Sequence, residues 1–150
     1  MRHDSRSIRV AMYVFDTNIV IEFLRGRLPG ALELLRNTDC RLIKIPAIVE
    51  AELLLGAHKS RDPEKGERAV ESLLCNYEVL PFDSACAHVY ARIRADLKRS
   101  GQAIGPNDLI IAATALAHDA ILATNNVREF QRVPNLRIMA LAEVELSENE

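Results

Sequence analysis

From residue 12 onward, apolar positions alternate between short unbroken runs and stretches with helical spacing. MYVF (12–15) is apolar without alternation, the pattern of a strand buried on both faces. In the following TNIVIEFLRG, Ile19 and Phe23, and Val20 and Leu24, stand four residues apart, and Gly26 supplies a stop, so a helix follows directly. Pro29 opens a second helix ending near Asn37. RLIKI (41–45) reads as a strand, and Pro46 suits the first position of a helix through AIVEAELLLGAHKS. A further helix runs from Pro63 to about Asn76, and VLPF (79–82) ends a short strand. Asp83 and Ser84 cap a long helix striped by Val89, Ile93 and Leu97. Lys98 and Arg99 lie in its last turn and Gly101 ends it. Pro106 opens a helix whose LIIAATALAH is apolar almost all round, hence buried. AILAT (120–124) and LRIMAL (136–141) are the remaining strands.

Strands alternating with helices, and strands without in–out alternation, predict a three-layer α/β/α sandwich around a mostly parallel central sheet. In such folds the ligand site lies beyond the C-terminal ends of the strands. No linker or repeat divides the chain, so residues 12–142 form one domain. Residues 1–11, with Arg2, Arg6 and Arg9 against Asp4, read as a flexible extension, and Met12 is an alternative start. Residues 143–150 carry Glu143, Glu145, Glu148 and Glu150 and read as an acidic tail.

Composition narrows the class. A chain of 150 residues, 49% hydrophobic and 27% charged, suits one globular core. No run approaches the ~20 apolar residues of a membrane span, and the basic start lacks the apolar segment of a secretory signal. Cys40, Cys75 and Cys86 are too few and too dispersed for a disulfide framework or zinc site. They read as small buried or half-buried thiols in a reducing cytoplasm. The net charge of −2 gives no global nucleic-acid signature. An enzyme that gathers acids around a cation would look acidic by count, because the cation is absent from the sequence.

Three acids stand where chemistry is built. Asp16 directly follows the first strand and precedes a helix, although an ordinary N-cap explains it equally well. Asp108 is the third residue of the buried helix opened by Pro106. The helix dipole favours it there by ~0.3–1 kcal/mol, and its nearness to the core demands a partner or a cation. Glu52 lies among Leu53, Leu54 and Leu55, but Glu50 shares that setting and periodicity does not choose between them. Carboxylates brought together stay ionised at neutral pH only with compensating cations. All-oxygen ligation suits Mg²⁺ or Mn²⁺, whose natural use in such a site is phosphodiester hydrolysis.

Four stretches across residues 12–139 resemble the PIN-domain nucleases and, within them, the VapC-type toxins of bacterial VapBC toxin–antitoxin pairs. They are YVFDTNIVI, PAIVEAELLLGAHKS, IGPNDLIIAATALAH and ILATNNVREFQRVPNL. The resemblance selects Glu52 over Glu50, assigns Asp16 and Asp108, and adds Thr124, Asn126 and Phe130 from the fourth stretch. It implies an endoribonuclease leaving a 5′-phosphate and a 3′-hydroxyl, with Mg²⁺ (or Mn²⁺) held by Asp16, Glu52 and Asp108. Thr17 and Asn18 would fix the turn, and Thr124 would bind an outer water. Many relatives carry Asp where this chain has the neutral Asn126, so one firmly held metal is expected. The family's substrate is often a transfer RNA, and the TNNVREF version resembles toxins acting on initiator tRNA. A homodimer and a small VapB-like antitoxin are implied, the latter reaching the acids with an Arg and binding operator DNA at its other end.

Cations for holding RNA are sought at Arg25, Arg27, Lys59 and Arg61, which end helices belonging to the site, with Arg92, Arg94, Lys98 and Arg99 as further candidates on the long helix. His58, His88 and His118 are scattered and read as structural. The first rival is a haloacid-dehalogenase-like phosphatase, but that chemistry needs an acid where Asn18 stands. The second is a PIN-like interaction module without catalysis, against which all three acids are present. A Rossmann-type nucleotide binder would need a Gly-rich loop after the first strand.

Overall fold

A computed structural model describes residues 11–26, 33 and 36–141. The expected N-terminal extension and acidic tail lie almost wholly outside the described residues, as does most of the helix expected from Pro29, of which Glu33, Arg36 and Asn37 are described as helical.

The sheet has five strands: β1 (Tyr13–Phe15), β2 (Ile43–Pro46), β3 (Glu78–Leu80), β4 (Ile121–Ala123) and β5 (Ile138–Met139). Their order is β3-β2-β1-β4-β5 and every pairing is parallel. Among the described residues six helices can be bounded: α1 (Thr17–Leu24), α2 (Ala47–His58), α3 (Pro63–Leu74), α4 (Ser84–Arg99), α5 (Pro106–Ala117) and α6 (Val127–Phe130). From β1 the chain steps outward through β2 to β3, then returns to the other side of β1 as β4. Connections between parallel strands follow a right-handed rule, and with this strand order that rule puts the helices of the two excursions on opposite faces, the expected three layers. The core has Val14, Ile43, Val49, Ile111, Leu122 and Phe130 among its fully buried side chains.

Local signals set most boundaries. The side chains of Asp16, Asp62 and Asp83 accept the backbone N–H of Ile19, Lys65 and Cys86 and so start α1, α3 and α4. Gly101, at φ +69°, follows α4 in the left-handed region. Helix α5 buries Leu109 and every residue from Ile111 to Ala115, as its all-round apolar sequence requires.

Four boundaries differ from expectation. RLIKI splits: Asp39 accepts the Arg41 N–H at 2.9 Å and winds Cys40–Leu42 into a 3₁₀ turn, so the strand begins only at Ile43. Pro46 is the last residue of β2 and the cap of α2, because its ψ of 144° is extended. β3 stops before Pro81, which has no N–H to donate. Only Ile138 and Met139 of LRIMAL are strand. Of the thiols, Cys86 is buried as expected, whereas Cys40 and Cys75 are exposed, and all three are free. No helix among the described residues is long and apolar enough to cross a membrane.

Candidate active site at the junction of β1 and β4

The order in which strands are added reverses at β1, between the β2–β3 side and the β4–β5 side, and such a switch point opens a crevice beyond the C-terminal ends of β1 and β4. Asp16 leaves β1 at that point. Its N–H bonds the Ala123 carbonyl of β4 at 3.3 Å. Its Oδ1 accepts the Ile19 N–H at 2.9 Å, and its Oδ2 accepts the Thr124 hydroxyl at the end of β4. Asp16 is therefore both the helix cap and a buried carboxylate of the crevice, 4% exposed. Burial raises its pKa and the negative Glu52 adds to the rise, while the Thr124 and Ile19 bonds oppose it.

Glu52 enters from the middle of α2. Thr17 donates its hydroxyl to Glu52 Oε1 at 2.5 Å, and Asn107 donates Nδ2 to Oε2 at 3.2 Å. Thr17 thus orients an acid on a neighbouring helix, and the turn itself is fixed by Asp16. Thr124 likewise spends its hydroxyl hydrogen on Asp16. Asn18 lines the groove. Glu50 does not line it, so the geometry decides what periodicity left open.

Asp108 sits at the third position of α5, half-buried, with Pro106 at the first. Its pKa is pushed up to about 7, first by burial, then by proton sharing with Glu129 and by the charges of Glu129, Asp16 and Glu52. Glu129 is the site residue that sequence reasoning missed. It accepts the Gly105 N–H at 2.7 Å on Oε1 and the Asn126 amide N–H at 2.8 Å on Oε2. Those bonds hold its own pKa down. The Asn126 backbone N–H in turn bonds the Thr124 hydroxyl oxygen at 2.9 Å. The corner expected to be neutral therefore holds a carboxylate: Asn126 acts as the clamp and Glu129, three residues on, brings the charge.

Asp16, Thr17, Asn18, Glu52, Asp108 and Asn126 all border one open groove of about 360 Å³. Of the expected cations, Lys59 borders it, Arg25 borders an adjacent apolar groove, and Arg61 is exposed beside neither. Arg27 lies outside the described residues. His88 and His118 bond carbonyls within their own helices, Ser84 O at 2.8 Å and Thr114 O at 2.9 Å, as structural histidines would. The groove offers oxygen ligands to a cation, and neighbouring negative charge helps to push up the pKa of Asp16 and of Asp108, a repulsion that a hard divalent cation relieves. Among the described residues no three such side chains already close as a finished cage.

The PIN-domain family model matches residues 13–136. The chain is 38% identical over 129 residues to "Ribonuclease VapC2" of Rickettsia felis, covering 83% of this chain and 94% of that one. It is 36% identical over 125 residues to "tRNA(fMet)-specific endonuclease VapC" of Shigella flexneri, with the same coverage, 83% and 94%. In three dimensions it superposes on a structure of DNA-bound VapBC from Salmonella typhimurium with a TM-score of 0.82 at 34% identity, covering 88% of this chain and 99% of that one. By the family match, the identities and the shared fold, the chain belongs to the PIN-domain family and, within it, to the VapC ribonucleases.

Proposed function

We propose that the chain is a divalent-cation-dependent endoribonuclease acting as the toxin of a toxin–antitoxin pair. The observation carrying this reading is the convergence of Asp16, Glu52 and Asp108 on one groove at the β1/β4 junction. These three carboxylates would hold Mg²⁺ or Mn²⁺, with Glu129 beside Asp108 as a fourth anion. Such an ion supplies Lewis-acid polarisation of a phosphodiester and an attacking water of lowered pKa. The protein does the rest by positioning. Thr124 fixes Asp16 Oδ2, while Thr17 and Asn107 fix the two oxygens of Glu52. Asn126 fixes Glu129 Oε2. Asp108 must shed its proton to serve as an anionic ligand, so cation loading weakens as pH falls below about 7.

The 36% identity to a relative named for tRNA(fMet) supports initiator tRNA as the substrate. The likeness to a DNA-bound VapBC complex supports a VapB-like antitoxin as partner. In this reading the toxin is a homodimer that meets operator DNA only through the antitoxin. An apolar groove of about 300 Å³ between α1, α2 and α3 also fits this partner. It is bordered by Leu24 and Val70 and reaches Glu52, so it suits a helix whose cation extends to the acids.

The test incubates antitoxin-free protein with total tRNA and Mg²⁺ or Mn²⁺, then repeats it with EDTA and with Asp108→Asn. Cleavage of initiator tRNA that EDTA and the substitution both abolish is the expected result. Equal cleavage in EDTA would overturn the metal reading. Hydrolysis of p-nitrophenyl phosphate without any RNA cleavage would favour a phosphatase.

A further inference from the structure

Two more cavities, each of about 390 Å³, flank the loop of residues 100–105 that joins α4 to α5. Arg94 and Lys98 of α4 line the first, and Arg128 and Arg132 line the second. Arg94 and Lys98, four residues apart, project from one face of α4, while Arg128 lies in α6 and Arg132 in the turn that follows it. No acid lines either cavity among the described residues. Elsewhere Arg25, Arg41, Lys44, Arg99 and Arg137 are each tied to a carboxylate. Arg94 instead bonds the Tyr90 hydroxyl at 2.7 Å and Arg132 the Ala103 carbonyl at 3.0 Å, so both of these bonds go to neutral oxygens.

These cavities and the carboxylate groove are built from the same two segments of chain. The first turn of α5 gives Pro106 and Leu109 to one cavity and Asn107 and Asp108 to the groove. The segment carrying α6 gives Asn126 to the groove and Arg128 and Arg132 to the other cavity. The charge of Arg132 is felt at Glu129. A site lined with acids repels a polyanion, so a substrate strand needs cations just beyond it.

We propose that Arg94, Lys98, Arg128 and Arg132 form the track for the RNA backbone as it leaves the carboxylate groove on the α4/α6 side. This rests on the ribonuclease reading and names where its substrate lies. The track displaces Arg25 and Arg61 as main anchors, because one faces an apolar groove and the other faces none.

The test compares wild type with Lys98→Gln/Arg128→Gln, which spares the loop contact of Arg132, and with Lys65→Gln/Arg68→Gln on exposed α3 as an equal change of charge. Binding of a fluorescent initiator-tRNA stem-loop is followed by anisotropy in EDTA between 50 and 300 mM KCl. Each lost phosphate contact on a single strand removes about 0.7 from the slope of log K against log salt. The track variant is expected to lose about 1.4 in slope at unchanged melting temperature, while the α3 variant keeps the wild-type slope. Equal slopes in all three proteins would overturn the proposal. Wild type that cleaves RNA while the track variant keeps its slope sinks the track alone. Wild type that neither binds nor cleaves RNA sinks the ribonuclease reading with it.

Discussion

At the scale of single residues, the site is governed by how four carboxylates share too little space. Asp108 takes a proton near pH 7 in the cation-free protein, against 3.8 for an ordinary aspartate. Between those values the native state keeps a proton that the unfolded chain has released, so stability falls as pH rises from about 4 to 7 and levels off above. Thermal unfolding in EDTA should therefore show a melting temperature declining from pH 5 to 7. Asp108→Asn should flatten that decline and melt above wild type at pH 8. Parallel profiles for the two proteins would show that Asp108 is not the group under strain. Asp108 was legible in the sequence because a proline-opened, wholly apolar helix behind it had to be buried. Glu129 was not. It follows Arg128 in a short turn and looks like solvated surface; only the Asn-x-x-Glu spacing of a helix start hinted that Asn126 and Glu129 act together.

At the scale of elements, the site is a set of helix starts tied to strand ends. Asp16 caps α1, Asp108 opens α5 and Asn126 precedes α6, while Glu52 alone comes from a helix interior. That is why β1, α1 and α5 could be placed from periodicity and capping, whereas Glu52 needed family resemblance: no local rule separates it from Glu50. Boundaries failed where a side chain or a ring intervened locally, as at Asp39 and Pro46. α6, at four residues, is too short for periodicity to show. The bond from Thr124 to Asp16 fastens β4 to the start of α1. Thr124→Val keeps the volume but leaves Oδ2 of a 4%-exposed carboxylate without its donor, a loss of about 1–3 kcal/mol. Since that bond favours the ionised form of Asp16, denaturation should reveal a larger loss at pH 8 than at pH 5. An equal loss at both values would mean that Thr124 acts through packing alone.

At the scale of the whole molecule, the strand order β3-β2-β1-β4-β5 makes the β1/β4 junction the place where the two excursions of the chain part. Parallel runs in the sequence predicted the sheet but not its order, since order depends on which helix layer each crossover joins. The order explains why acids far apart in the chain meet, and why the fold tolerates their repulsion: the crevice is open to solvent and to cations. A ligand that binds only the native state stabilises by RT ln(1 + [L]/Kd), about 2.7 kcal/mol at a hundredfold excess over Kd. For a chain of this size that is roughly 5–11 °C in melting temperature. Mn²⁺ or Mg²⁺ should accordingly raise the melting temperature at pH 8. The rise should shrink at pH 6, where Asp108 holds its proton, and nearly vanish in Asp108→Asn and Asp16→Asn. Thermal shift titrations at the two pH values read this without any RNA. A rise that is the same at both pH values and survives both substitutions would place the cation elsewhere on the surface and remove the carboxylate groove from the chemistry.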